Sequence, residues 1–167
     1  MIPALSIEDK VAKWRKKYVE SALHGMPPHI TLLFPFKNPK EINTEVINKL
    51  KTIFSKITPF SYSLIGINTF PSVIFMEPLE KERFIKLTKK LLKMFPDTSL
   101  YGNEFSGINP HLTIARIDNR KEFNHVKMLI SKSLESKLPI NMASKEAWLM
   151  EKKDGEWLIK QKFSFSR

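Results

Sequence analysis

Apolar residues along this chain fall at spacings of three and four in some stretches and alternate with polar ones in others, and the two periods mark helices and strands. Ile2 to Leu5 reads as a short strand. A helix follows from Ser6, where Ser6-Ile7-Glu8-Asp9 resembles a capping box with Asp in place of Glu. Val11, Trp14, Tyr18 and Ala22 form its apolar stripe, and His24-Gly25-Met26-Pro27-Pro28 ends it. A strand runs from His29 to Phe34 and stops at Pro35. Asn38-Pro39 opens a second helix, with Pro at its first position and Ile42, Val46, Leu50, Ile53 and Ile57 on its inner face. Phe60 to Phe70 and Val73 to Met76 are strands joined by a Pro71-Ser72 turn. A third helix, Glu80 to Phe95, turns Phe84, Leu87, Leu91, Leu92 and Phe95 inward. Pro96 to Pro110 is a loop long enough to be functional. A strand from His111 to Ile117 and a helix from Lys121 to Leu138 follow. Two strands, Ile140 to Glu151 and Glu156 to Phe165, close the chain around Lys153-Asp154-Gly155, a good hairpin signal.

The resulting order is β-α-β-α-β-β-α-β-α-β-β, in which a strand, a helix and a strand pair occur twice. The strand that opens each repeat carries the same pattern. One reads Pro28-His29-Ile30-Thr31-Leu32 and the other Pro110-His111-Leu112-Thr113-Ile114, about half a chain apart. Repetition at that spacing points to two structurally equivalent halves. Side chains alternate faces along a strand, so His29 shares a face with Thr31, and His111 with Thr113. If the halves face each other, one cleft receives two imidazoles and two hydroxyls.

Composition narrows the setting. The 167 residues fit one domain, or two small lobes sharing a core, and no apolar run reaches the ~20 residues that cross a membrane. Met1 to Leu5 is too short for a signal-peptide core and acidic residues follow at Glu8 and Asp9, so a cytoplasmic location is expected. The absence of cysteine removes disulfides, thiolate metal sites and a thiol nucleophile. With 28 Lys and Arg against 17 Asp and Glu, the net charge of +11 attracts polyanions such as RNA, DNA or phosphorylated metabolites. A lysine-rich solvated surface accounts for the charge equally well.

Two histidines can give and take protons near neutral pH on opposite sides of a reacting centre. Two threonine hydroxyls can donate to the non-bridging oxygens of a phosphate as charge grows on them. A strained 2',3'-cyclic phosphate suits that set: one imidazole activates water, and the other protonates the departing ribose oxygen. Metal catalysis fits less well, because zinc sites gather three or four ligands and neither motif contains a carboxylate. No serine nucleophile elbow is present. His24 and His125 lack a threonine partner and read as a loop residue and a helix-surface residue.

These residues resemble the two-histidine (2H) phosphoesterase superfamily, whose signature is His-x-[Ser/Thr]-x once in each lobe, and within it the 2'-5' RNA ligase and RNA 2',3'-cyclic phosphodiesterase branch. The first segment matches from Gly25 to Phe36 and the second from Pro110 to Arg116, with Phe70-Pro71-Ser72-Val73 and Tyr101-Gly102 between them. The resemblance covers essentially the whole chain. It implies an α+β fold, bilobed and duplicated with pseudo-two-fold symmetry, in which antiparallel-rich sheets line a central basic cleft and helices pack outside. The whole chain, 1–167, would be a single domain of two interleaved lobes.

The resemblance also implies metal-independent hydrolysis of a 2',3'-cyclic phosphate to a 2'-phosphate, with possible 2'-5' RNA ligation. It implies no cofactor, no metal and no obligate protein partner. The expected partner is an RNA end or a nucleotide bearing the cyclic phosphate. Alternatives are a non-catalytic RNA-binding module, or a phosphodiesterase for 2',5'-oligonucleotides or small cyclic nucleotide metabolites. His29 would be the acid and His111 the base, roles that the symmetry leaves exchangeable, with Thr31 and Thr113 holding the phosphate. Arg116 matches a family arginine, but strict alternation from His111 would point it away, so the strand must twist or end near Ala115 for it to contribute. Phe34, Phe36 and Tyr101 could stack on a base or belong to the core.

Overall fold

The computed structural model describes residues 1–98 and 107–166. A short strand β1 (Ile2–Pro3) leads into a 3-10 turn at Leu5–Ile7 and helix α1 (Glu8–Tyr18). The capping box expected at Ser6 does not form: Ser6 Oγ donates instead to Met142 Sδ, 3.4 Å away, and no side chain caps α1. An extended Val19 breaks the first helix, leaving a short α2 (Glu20–Leu23). Strand β2 covers only His29–Ile30, shorter than its apolar pattern predicts, because the following backbone bends instead of pairing.

Asn38 and Pro39 open a 3-10 turn at Pro39–Glu41 rather than the second helix. That helix, α3 (Thr44–Phe54), is capped one turn later, where the Asn43 side chain accepts from the Val46 N–H. Strands β3 (Phe60–Phe70) and β4 (Val73–Pro78) form the expected hairpin, followed by α4 (Lys81–Met94). Then come β5 (Leu112–Arg116) and α5 (Arg120–Leu134). The single strand expected from Ile140 to Glu151 is two: β6 (Ile140–Ser144) and β7 (Glu146–Lys153), which join different sheets. β7 pairs with β8 (Glu156–Ser164) through a turn in which Asp154 and Gly155 both have positive φ, as the Asp-Gly signal requires.

All strand pairs are antiparallel. One sheet has the order β5-β4-β3-β6. The pairs β1-β2 and β7-β8 are joined by reciprocal backbone bonds of 2.9 Å between Met1 and Trp148, giving β2-β1-β7-β8. Each motif strand thus lies at an outer edge. A single hydrophobic cluster runs through both arrays and takes in the inner faces of α1, α3, α4 and α5. β4 is buried on both faces, as its nearly continuous apolar run predicts. No helix among the described residues is long and apolar enough to cross a membrane.

Candidate active site

The edges formed by β2 and β5 lie beside one another. Burial follows the alternation expected of both motifs. Ile30 and Leu32 are buried, as are Leu112 and Ile114, while His29, Thr31, His111 and Thr113 are half-buried on the other face.

Both imidazoles are held in the same way. His29 Nδ1 lies 2.8 Å from the carbonyl oxygen of Pro27, and His111 Nδ1 lies 2.7 Å from that of Asn109. Each acceptor is two residues upstream of its histidine. A carbonyl oxygen only accepts, so in each neutral ring Nδ1 carries the proton and Nε2 keeps its lone pair. Burial pushes the His29 imidazole down to about 3, against the opposing pull of the Pro27 carbonyl; Arg15, the Met1 amino group and His111 add smaller effects in the same direction as burial. His111 is also lowered, first by burial and then by Arg116, with the Asn109 carbonyl opposing. Both rings are therefore neutral at pH 7 in the free protein.

Arg116 reaches the motif face through a β-bulge. Phe75 pairs with Thr113 and Ile74 with Ala115, so Ile114 is an extra residue in β5. The bulge shifts the alternation by one position. Val73, which pairs with Arg116, is two residues from Phe75 and on the same face of β4, so Arg116 returns to the face of Thr113 and His111. This is the break near Ala115 that the sequence required. Arg116 is exposed, and its charge acts on the His111 ring.

Aromatic side chains seat that ring. Phe70 meets His111 edge-on at 5.1 Å between centroids, Phe75 lies 5.3 Å away, and the two phenyl rings stack on each other at 4.3 Å. Phe34 is 53 % exposed and turns an edge to Trp157 at 6.5 Å. Phe36 packs edge-on against Phe95 at 5.0 Å and onto the main hydrophobic cluster. Tyr101 lies outside the described residues. Among the described residues, no three of His, Cys, Asp or Glu converge in a way that could hold a metal ion.

Two polar residues beneath the site escape a reading based on apolar stripes. Arg15 on α1 is buried and bonds to main-chain carbonyls of both motif segments. Thr88 on α4 is buried and donates through Oγ1 to the Leu32 carbonyl at 2.8 Å. The sequence does hold a signal for each. Arg15 continues the buried Ile7 and Val11 at steps of four, and Thr88 lies four residues after Phe84, so each is a polar residue on an inward face.

A family model described as the 2'-5' RNA ligase superfamily matches residues 3–156. The chain belongs to the 2'-5' RNA ligase superfamily. This is the superfamily that the two motifs resemble, and the chain is accordingly an enzyme of the phosphoesterase type. A superfamily relative from Bacillus anthracis (strain CDC 684 / NRRL 3495), provisionally named a phosphoesterase, is 27 % identical over 168 residues, covering 100 % of this chain and 95 % of its own. Another, from Bacillus cytotoxicus and named in the same way, is 31 % identical over 116 residues, covering 70 % of this chain and 66 % of its own.

Among solved structures, TT0787 of Thermus thermophilus superposes with a TM-score of 0.61 at 16 % identity, over 98 % of this chain and 95 % of its own. LigT of E. coli, complexed with 3'-AMP, superposes at 0.58 and 15 % identity, over 99 % of this chain and 94 % of its own. At these identities the likeness is one of fold, and it establishes the α+β architecture of antiparallel sheets and packed helices.

Proposed function

We propose that this enzyme hydrolyses 2',3'-cyclic phosphates at RNA ends to 2'-phosphates, using His29 and His111 as an acid–base pair and no metal. One observation carries the reading: two half-buried imidazoles, each held through Nδ1 by a carbonyl two residues upstream and followed two residues later by a threonine. Both Nε2 atoms are left for proton transfer. The binding of 3'-AMP by LigT supports a nucleotide ligand for the fold.

His111, the less strongly lowered ring, is the better base. Its Nε2 takes a proton from water, whose oxygen attacks phosphorus in line with the 3'-oxygen. The P–O3' bond breaks and His29 delivers its proton to O3', leaving the phosphate on O2'. A ring whose protonated form is disfavoured releases a proton readily. The anionic phosphodiester loads that proton as it binds, because a negative charge beside an imidazole favours the charged form. Thr31 and Thr113 donate to the non-bridging oxygens, and Arg116 offsets the growing negative charge. A 5'-hydroxyl in place of water gives 2'-5' ligation by the same geometry.

The test is incubation in EDTA with an RNA oligomer ending in 2',3'-cyclic phosphate, alongside the His29→Ala/His111→Ala double variant. The expected product is the 2'-phosphate isomer, formed by the wild type alone. No turnover overturns the reading and directs attention to 2',5'-linked oligonucleotides, small cyclic nucleotides or RNA binding without chemistry. A chelator-sensitive rate overturns its metal-independent part.

The lowered imidazoles also set a pH dependence. The free enzyme needs one ring protonated and one neutral, and both titrate below their usual value of about 6.5. The profile of kcat/KM, which reports the free enzyme, should therefore be bell-shaped and centred below pH 6.5. The profile of kcat should be displaced towards higher pH, because bound phosphate raises both rings. A kcat/KM optimum above pH 7 would contradict the assignment.

A further inference from the structure

Among the described residues, Arg15 is the one charged side chain that is fully buried, at 2 % exposure. A buried guanidinium is strongly disfavoured unless its donors are satisfied. Here the partners are main-chain carbonyls. Nη1 donates to Thr113 at 2.6 Å, and Nη2 donates to Met26 at 3.0 Å and to Pro27 at 3.1 Å. Thr113 belongs to the second motif, and Met26 and Pro27 lead directly into the first. The Pro27 oxygen is also the acceptor for His29 Nδ1. One carbonyl, with two lone pairs, thus receives both the guanidinium and the imidazole.

We propose that Arg15 is a positioning residue: its planar fork ties the backbone ahead of His29 to the backbone of Thr113, setting the separation of the two motif strands and the orientation of the His29 ring. Its bearing on turnover rests on the two-histidine reading. Its bearing on the ring does not. Arginine suits the role because the guanidinium is rigid and presents several donors in fixed directions, whereas a lysine ammonium is a point charge. The charged or titratable groups acting on His29 are Arg15 from α1, the Met1 amino group just ahead of β1 and His111 just ahead of β5, and Glu8 acts in turn on Arg15. Removing the guanidinium therefore loosens the Pro27 carbonyl and removes one of the cations opposing His29 protonation.

The test uses the full chain with Arg15→Met and Arg15→Lys, each checked for folding by circular dichroism. Long-range 15N-edited spectra of the imidazoles give the tautomer and titration midpoint of each ring. In Arg15→Met, the His29 midpoint should rise towards 6.5 and the Nε2–H tautomer should appear. Arg15→Lys keeps the charge without the fork, so the midpoint should stay near that of wild type while the tautomer preference still weakens. On the cyclic-phosphate RNA both variants should lose ~10–10²-fold in kcat, the scale of a small misplacement, with KM little changed.

A folded variant whose His29 tautomer and midpoint match wild type would overturn the proposal. If Arg15→Met does not fold, Arg15→Lys decides on the tautomer alone. A wild type that does not turn over the RNA removes the substrate reading and leaves the ring spectra to decide on Arg15.

Discussion

Replacing His29 or His111 with glutamine should lower kcat by at least ~10²-fold each, the usual scale for a positioned acid or base. Glutamine is the informative replacement. Its amide can donate to the Pro27 or Asn109 carbonyl that now receives each Nδ1–H, but it cannot carry a proton between substrate and solvent. Stability should change little, and the loss should fall on the chemical step. On the proposed mechanism the rings act as a pair, so the double variant should be only modestly worse than either single one. The single variants also separate the roles: without the base the acidic limb of the pH profile disappears, and without the acid the alkaline limb does. Single-turnover rates on cyclic-phosphate RNA across pH measure all of this. A near-normal rate in either variant would remove that histidine from the mechanism.

The shared face of each histidine and its threonine was legible because the pattern that sets it is local. His-apolar-Thr-apolar fixes two faces of a strand wherever the strand lies, and its repetition implied two equivalent sites. Geometry between distant segments was not legible in the same way. The Ile114 bulge that returns Arg116 to the site depends on register with β4, and register belongs to the pair of strands, not to either sequence alone. Arg15 presents the same difficulty. Sequence shows a cation on the inner face of α1, but its partners lie 98, 11 and 12 residues away and are backbone carbonyls, which any residue type supplies.

Local signals also misled where tertiary contacts outweighed them. Ser6 has the spacing of a cap yet turns to Met142, and Asn38 caps a 3-10 turn ahead of the true helix cap, Asn43. The run from Ile140 to Glu151 reads as one strand because its pattern barely changes where the chain passes from one sheet to the other between Ser144 and Glu146.

Phe84→Ala should be the most damaging single change to the scaffold, costing about 3–5 kcal/mol of stability. The side chain is fully buried and meets Tyr62 edge-on at 5.1 Å and Phe60 at 5.6 Å, both on β3. Truncation removes those ring contacts and leaves a cavity that the strand backbone cannot close. The site should feel the change from both sides. β3 supports β4, which pairs with the β5 strand of the second motif. One turn further along α4, Thr88 holds the Leu32 carbonyl next to Thr31 of the first. Urea unfolding should show a lower midpoint with an unchanged slope, as expected when stability falls but the exposed surface does not. Exposed Lys89 on the same helix is the control, and its replacement by alanine should stay within about 0.5 kcal/mol of wild type. A Phe84→Ala protein as stable as Lys89→Ala would mean that α4 does not anchor β3, and the packing that joins this helix to both motifs would have to be redrawn.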